Sequence, residues 1–76
     1  MVTAYIMIKA HTGDADRLKE EIAAIEGVVD VAIVAGDVDL IAKATVDTPA
    51  EVKEIAANQI QAVDGVEDTQ TYVAMH

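Results

Sequence analysis

Two carboxylates and a glycine crowd one short stretch of this chain, Val34-Ala35-Gly36-Asp37-Val38-Asp39-Leu40-Ile41. It reads as a tight turn joining two apolar strands. Glycine reaches positive φ without steric cost, and aspartate favours turns because its side chain bonds nearby backbone. Asp37 and Asp39 flank the single residue Val38, so in extended chain they point to the same side. Turn amides and acids gathered at one sheet edge suit a small-molecule pocket better than a catalytic centre. A second polar run follows near the end, Thr69-Gln70-Thr71, where Thr69 and Thr71 share one strand face and Tyr72 takes the other. Hydroxyls and free backbone groups hold a ligand carboxylate, and aspartate holds an ammonium, so a zwitterion such as an amino acid fits the mixture. A plainer reading stays open: the threonines are β-branched strand formers and the acids are turn chemistry.

Other chemistries lack their residues. The chain has no Ser and no Cys, which removes the usual nucleophiles, and its threonines have no His in sequence reach. His11 falls where a first strand meets a first helix, and His76 is the last residue; neither belongs to a metal-spaced pair, and each reads as a solvated histidine. A cysteine-based metal carrier is excluded. An RNA-binding sheet needs stacking aromatics, and Tyr5 and Tyr72 are the only two in the chain. Asp37-Val38-Asp39 matches half of a calcium loop, but the closing Glu does not follow. The expectation is no catalytic residue, no metal and no cofactor.

The elements that must position these groups show as a repeat. Ile25-Glu26-Gly27-Val28-Val29-Asp30 is echoed by Val63-Asp64-Gly65-Val66-Glu67-Asp68, an offset of 65 − 27 = 38 positions, and the same offset lays Ala4–Ile8 over Ala42–Val46. Each half is strand, helix, glycine stop, strand. Two halves make β-α-β-β-α-β, an α+β ferredoxin-like fold with a four-stranded antiparallel sheet and two helices on one face. Residues 1–76 then form one domain. Val2–Lys9 reads as the first strand. Asp14–Glu26 carries Leu18, Ile22 and Ile25 at helical spacing, and Gly27 stops it. Val28–Ala35 and Val38–Val46 make a hairpin around Gly36-Asp37. Thr48-Pro49-Ala50-Glu51 starts the second helix, with a Thr cap, Pro at the first position and Glu51 completing a capping box. Val52, Ile55, Ala56, Ile60 and Val63 line its inner face up to Gly65, and Val66–Met75 is the last strand.

Strand alternation has a consequence for assembly. In the first strand Val2, Ala4, Ile6 and Ile8 face one way and Thr3, Tyr5 and Met7 the other. In the third, Val38, Leu40, Ala42 and Ala44 alternate with Asp39, Ile41, Lys43 and Thr45. In the second, Val29, Val31 and Ile33 oppose Val28, Ala32 and Val34. Two helices cover one face only, which leaves Tyr5, Met7 and Ile41 on an open face that is more apolar than a solvated one should be. The expectation is a sheet-to-sheet dimer through that face.

Bulk properties agree with oligomerisation. A chain of 76 residues buries a modest fraction of its surface, has no cysteine to staple it, and is nonetheless 53% hydrophobic. The net charge is −9, from 14 acidic and 5 basic residues spread along the chain, so direct binding of nucleic acid is disfavoured. A solvated acidic surface with few lysines fits a protein that works in high salt, as in a haloarchaeon; an ordinary acidic cytoplasmic protein is the alternative. No run is long enough to span a membrane and no basic signal region opens the chain, so a cytoplasmic location is expected.

On Val34-Ala35-Gly36-Asp37-Val38-Asp39-Leu40 and on the ending Gly65-Val66-x-x-Thr69-x-Thr71, the chain resembles the effector-binding domain of the Lrp/AsnC family, the regulation-of-amino-acid-metabolism domain, without its DNA-binding helix-turn-helix. The likeness covers essentially the whole chain in element order. Val38 stands where the family often has an aromatic. The resemblance implies a homodimer or higher ring with paired sheet faces. It implies an amino acid or related effector held between subunits by Gly36, Asp37, Val38, Asp39, Thr69 and Thr71. It also implies a role in transcription regulation through assembly, alone or by joining a full-length Lrp/AsnC regulator. An ACT-like regulatory module, which usually pairs sheets edge to edge, and a small dimeric ferredoxin-like enzyme are the alternative readings.

Overall fold

The computed structural model describes residues 1–11 and 13–75; His76 lies outside the described residues. The chain runs β1 (Val2–Ala10), α1 (Ala15–Ala23), β2 (Val28–Ile33), β3 (Leu40–Val46), α2 (Pro49–Lys53) with a π-helical continuation (Glu54–Ile60), and β4 (Val66–Val73). The strands form one antiparallel sheet in the order β2-β3-β1-β4, the ferredoxin-like arrangement. α1 packs on β2 and β3, and the second helix lies against β1, β3 and β4.

The core is the product of strand alternation on the covered face. Ile6 and Ile8 of β1 and Leu40, Ala42 and Ala44 of β3 are fully buried in one cluster with Leu18 and Ile22 of α1 and Ile55, Ala56 and Ile60 of the second helix, and Ala4 of β1 is fully buried as well. Among the described residues the buried set contains no polar or charged side chain. On the opposite face, Tyr5, at 39% exposure, and Tyr72, at 52%, sit side by side in register. Met7 and Ile41, also paired in register, are half-buried there.

The sequence repeat is a repeat of backbone geometry. Gly27 and Gly65 both adopt left-handed φ, +98° and +102°, where a side chain is strained. Their carbonyls accept from Thr45 and His11 amides at 2.9 and 3.0 Å. Val28 and Val66 amides donate to Ile25 and Val63 carbonyls at the same offset, each at 3.1 Å. A bulge follows in both strands. The register jumps from Val28 to Asp30 in β2 and from Val66 to Asp68 in β4.

That bulge corrects the strict alternation expected for the second strand. Val28 and Val31 both meet β3 residues whose side chains enter the core, Ala44 and Ala42, while Val29 is the inserted residue and is 59% exposed. One extra residue reverses the phase of everything before it. The helix ends differ as well. α1 covers Ala15–Ala23 within the expected 14–26, and the hairpin strands stop at Ile33 and restart at Leu40, which lengthens the turn. The second helix widens after Lys53 into π geometry, which places Ile55 and Ile60, five residues apart, both in the core. Its start is as expected: Glu51 N–H donates to Thr48 Oγ1 at 3.4 Å, and Thr48 N–H donates to Glu51 Oε2 at 3.3 Å.

Candidate functional site

The turn after β2 is held by Asp39, through backbone and side chain together. Val34 N–H donates to the Asp39 carbonyl, and Asp39 N–H donates to the Ile8 carbonyl, each at 2.9 Å. The Asp39 carboxylate then accepts from Ala10 N–H at 2.8 Å. The β1–β3 ladder ends at Ile8 and Leu40, so Asp39 extends it past the last strand pair and pins the turn to the end of β1. Asp37 is free by comparison. It is exposed, and among the described residues its carboxylate has no hydrogen-bond or ion-pair partner. The two acids of the turn therefore differ: Asp39 is a structural anchor, and Asp37 has no such contact among the described residues. Gly36 takes φ +157°, with nothing within 4 Å of where its Cβ would sit.

Asp37 and Val38 face a cleft of about 220 Å³ at the rim of the open sheet face. Met7 and Lys9 of β1 and Asp68 and Gln70 of β4 complete its walls, with Thr69 contributing from the same strand. Lys9 and Asp68 are register partners across β1 and β4. Among the described residues, however, Lys9 has no ion-pair partner, and Asp68 Oδ1 accepts only from its neighbour Thr69 N–H, at 2.9 Å. The cleft thus holds two carboxylates and one ammonium that do not neutralise one another by contact.

Thr69 and Thr71 were expected to join this pocket. They stand opposite Ile8 and Ile6, so their side chains point to the helix-covered face. There they line a separate groove of about 360 Å³ with Pro49, Val52, Lys53 and Ala56. Thr69 Oγ1 donates to Gln61 Oε1 at 3.2 Å. Thr69 borders both cavities, whereas Thr71 does not reach the turn within one chain. A third hollow, of about 430 Å³, lies between β3 and the second helix and is lined by Glu26, Asp47, Glu51 and Glu54, but Glu51 is already committed to the helix cap. His11 is exposed, with Nδ1 3.6 Å from a Glu67 carboxylate oxygen.

Sequence reasoning missed Lys9, Asp68 and Gln70. The alternation of β1 placed Lys9 on the open face in principle. Its partner in β4, Asp68, shares the face of Gln70 and Tyr72 by alternation, but the register that sets it opposite Lys9 belongs to the pairing of two distant strands.

A sequence profile of the Lrp/AsnC ligand binding domain matches residues 3–76. Similar solved structures include TTHA0845 from Thermus thermophilus, at 30% identity and a TM-score of 0.94, over 100% of this chain and 95% of that one. The hypothetical protein PHS023 from Pyrococcus horikoshii is similar at 28% identity and a TM-score of 0.90, over 100% of this chain and 92% of that one. A transcriptional regulator from Neisseria meningitidis, solved as a complex with L-Met, is 16% identical with a TM-score of 0.86, over 99% of this chain and 50% of that one. At that identity the likeness is one of fold. No curated protein matches the chain.

Proposed function

Because the chain belongs to the Lrp/AsnC ligand binding domain family, we propose that it is a regulatory module that senses an amino acid or related small effector. The module pairs through its open sheet face, with Tyr5, Met7 and Ile41 at the contact, and its dimers assemble into higher rings. The effector sits at a subunit boundary between the Gly36–Asp39 turn and the Thr69–Thr71 strand of another copy. Thr71 and the turn lie apart within one chain, and a second copy is the means of uniting them. The module acts on transcription through assembly, alone or joined to a full-length relative, without a duplex contact of its own and without catalysis. The L-Met complex of the Neisseria regulator supports the effector class.

The observation that carries this reading is the cleft at the turn. Among the described residues, a carboxylate without a partner, Asp37, faces it beside an ammonium without a partner, Lys9, on the rim of an apolar sheet face. That pattern matches a zwitterion covered by a second subunit. The test is a thermal-shift screen of the full chain against the standard amino acids, with mass by light scattering with and without each hit. A ligand at a hundred times its Kd should add about 2.7 kcal/mol of stability. If no amino acid raises the melting temperature, the sensing function is wrong.

A further inference from the structure

The effector's chemical class follows from the charges around the cleft, granted the amino-acid sensing proposed above. Asp37 and Asp68 each present a carboxylate, Lys9 presents an ammonium, and Gln70 adds an amide. Lys9 and Asp68 are opposite each other in register, yet neither forms an ion pair among the described residues, and Asp37 has no partner either. The cleft therefore carries two negative centres and one positive centre, each available to a guest.

Three kinds of guest can be compared on that pattern. An apolar amino acid brings one carboxylate and one ammonium, which leaves one cleft carboxylate facing the ligand's hydrocarbon. An acidic amino acid brings two carboxylates to a site with one cation and places like charges together. A dibasic amino acid brings one carboxylate and two cations, and each finds an opposite charge. The walls suit its stem as well. Met7 and Val38, both half-buried, offer apolar surface on which a methylene chain can lie while its charged ends stay at the polar groups. The field of the whole molecule acts in the same direction, because a net charge of −9 draws in a cation and repels an anion.

We propose that this cleft selects a dibasic amino acid of the lysine or arginine kind, with Lys9 taking the ligand carboxylate and Asp37 and Asp68 taking its two cationic groups. Lys9 and Asp68 are then specificity-determining residues. Both are exposed on strands and neither contributes to the core, so their replacement leaves the fold in place.

The experiment is isothermal titration of the full chain with L-lysine, L-arginine, L-leucine, L-glutamate and cadaverine, the last being lysine without its carboxylate. It is run in moderate chloride, because salt screens the exposed charges under test. Lysine or arginine should bind at least about tenfold more tightly than leucine, a margin set by one extra charge-assisted hydrogen bond. Asp68→Asn should abolish that margin. Lys9→Met should weaken lysine by about tenfold or more and leave cadaverine unweakened. The comparison of lysine with leucine on the parent chain needs no variant, so the proposal stays open to refutation if a variant misfolds. Leucine binding as tightly as lysine, with no response to Asp68→Asn, overturns the dibasic assignment and leaves amino-acid sensing standing. No binding by any standard amino acid overturns both.

Discussion

Replacing Asp39 by alanine should destabilise the fold before it touches any ligand. The Asp39 carboxylate accepts from Ala10 N–H at 2.8 Å, half-buried at the junction of β1 with the turn. A hydrogen bond to a charged group contributes about 1.5–3 kcal/mol. Partial access of water to the freed amide favours the lower end, so a loss of about 1.5–2 kcal/mol is expected. In a domain of this size, 1 kcal/mol moves Tm by about 4–8 °C, so Asp39→Ala should melt roughly 6–16 °C below the parent. Asp39→Asn keeps an acceptor of the same shape and loses only the charge, so it should fall by about half as much. Asp37→Ala is the control: its carboxylate has no partner among the described residues, and the change should stay within about 0.5 kcal/mol. The assay is circular-dichroism melting at one fixed protein concentration, because association shifts Tm by mass action. The anchoring role is refuted if Asp39→Ala melts within about 2 °C of the parent, or if Asp37→Ala falls as far as Asp39→Ala.

Three further outcomes are expected. Gly27→Ala places a Cβ 2.7 Å from the Ile55 side chain at a φ of +98°, and should cost at least about 2 kcal/mol in urea unfolding. Gly13→Ala, with nothing within 4 Å, should be close to neutral, and equal effects at the two sites would contradict the argument. Tyr5→Glu puts a charge into the proposed subunit contact and should dissociate the assembly or unfold it, as read by light scattering; a parent chain that is monomeric at micromolar concentration defeats the pairing. Raising chloride from dilute buffer to molar concentration should raise Tm, since salt screens the repulsion within a chain of net charge −9; a flat or falling Tm counts against that.

Local chemistry alone determined the element order. Periodicities of two and of 3.6, the Thr48 capping box and the glycine stops at Gly27 and Gly65 are written in neighbouring residues, and neighbouring residues suffice to form them. The repeat at an offset of 38 followed from the same residues, and with it the ferredoxin-like topology. The buried stripe of β1 and the half-open face with Tyr5, Met7 and Ile41 were legible because a strand has a fixed side-chain period. Pairing between distant strands was not legible. The bulges at Val29 and Glu67 belong to a strand and its partner together, so no single segment announces them, yet they decide which side chains share a face. Pairing of distant strands is why Asp68 and Gln70, which follow the bulge and keep the phase of Tyr72, joined Asp37 and Lys9 only in three dimensions. It is also why Asp39, alike with Asp37 in the sequence, proved to be the anchor. The Ala10 amide that claims its carboxylate lies 29 residues away, and only the packing of β1 beside β3 brings the two within reach.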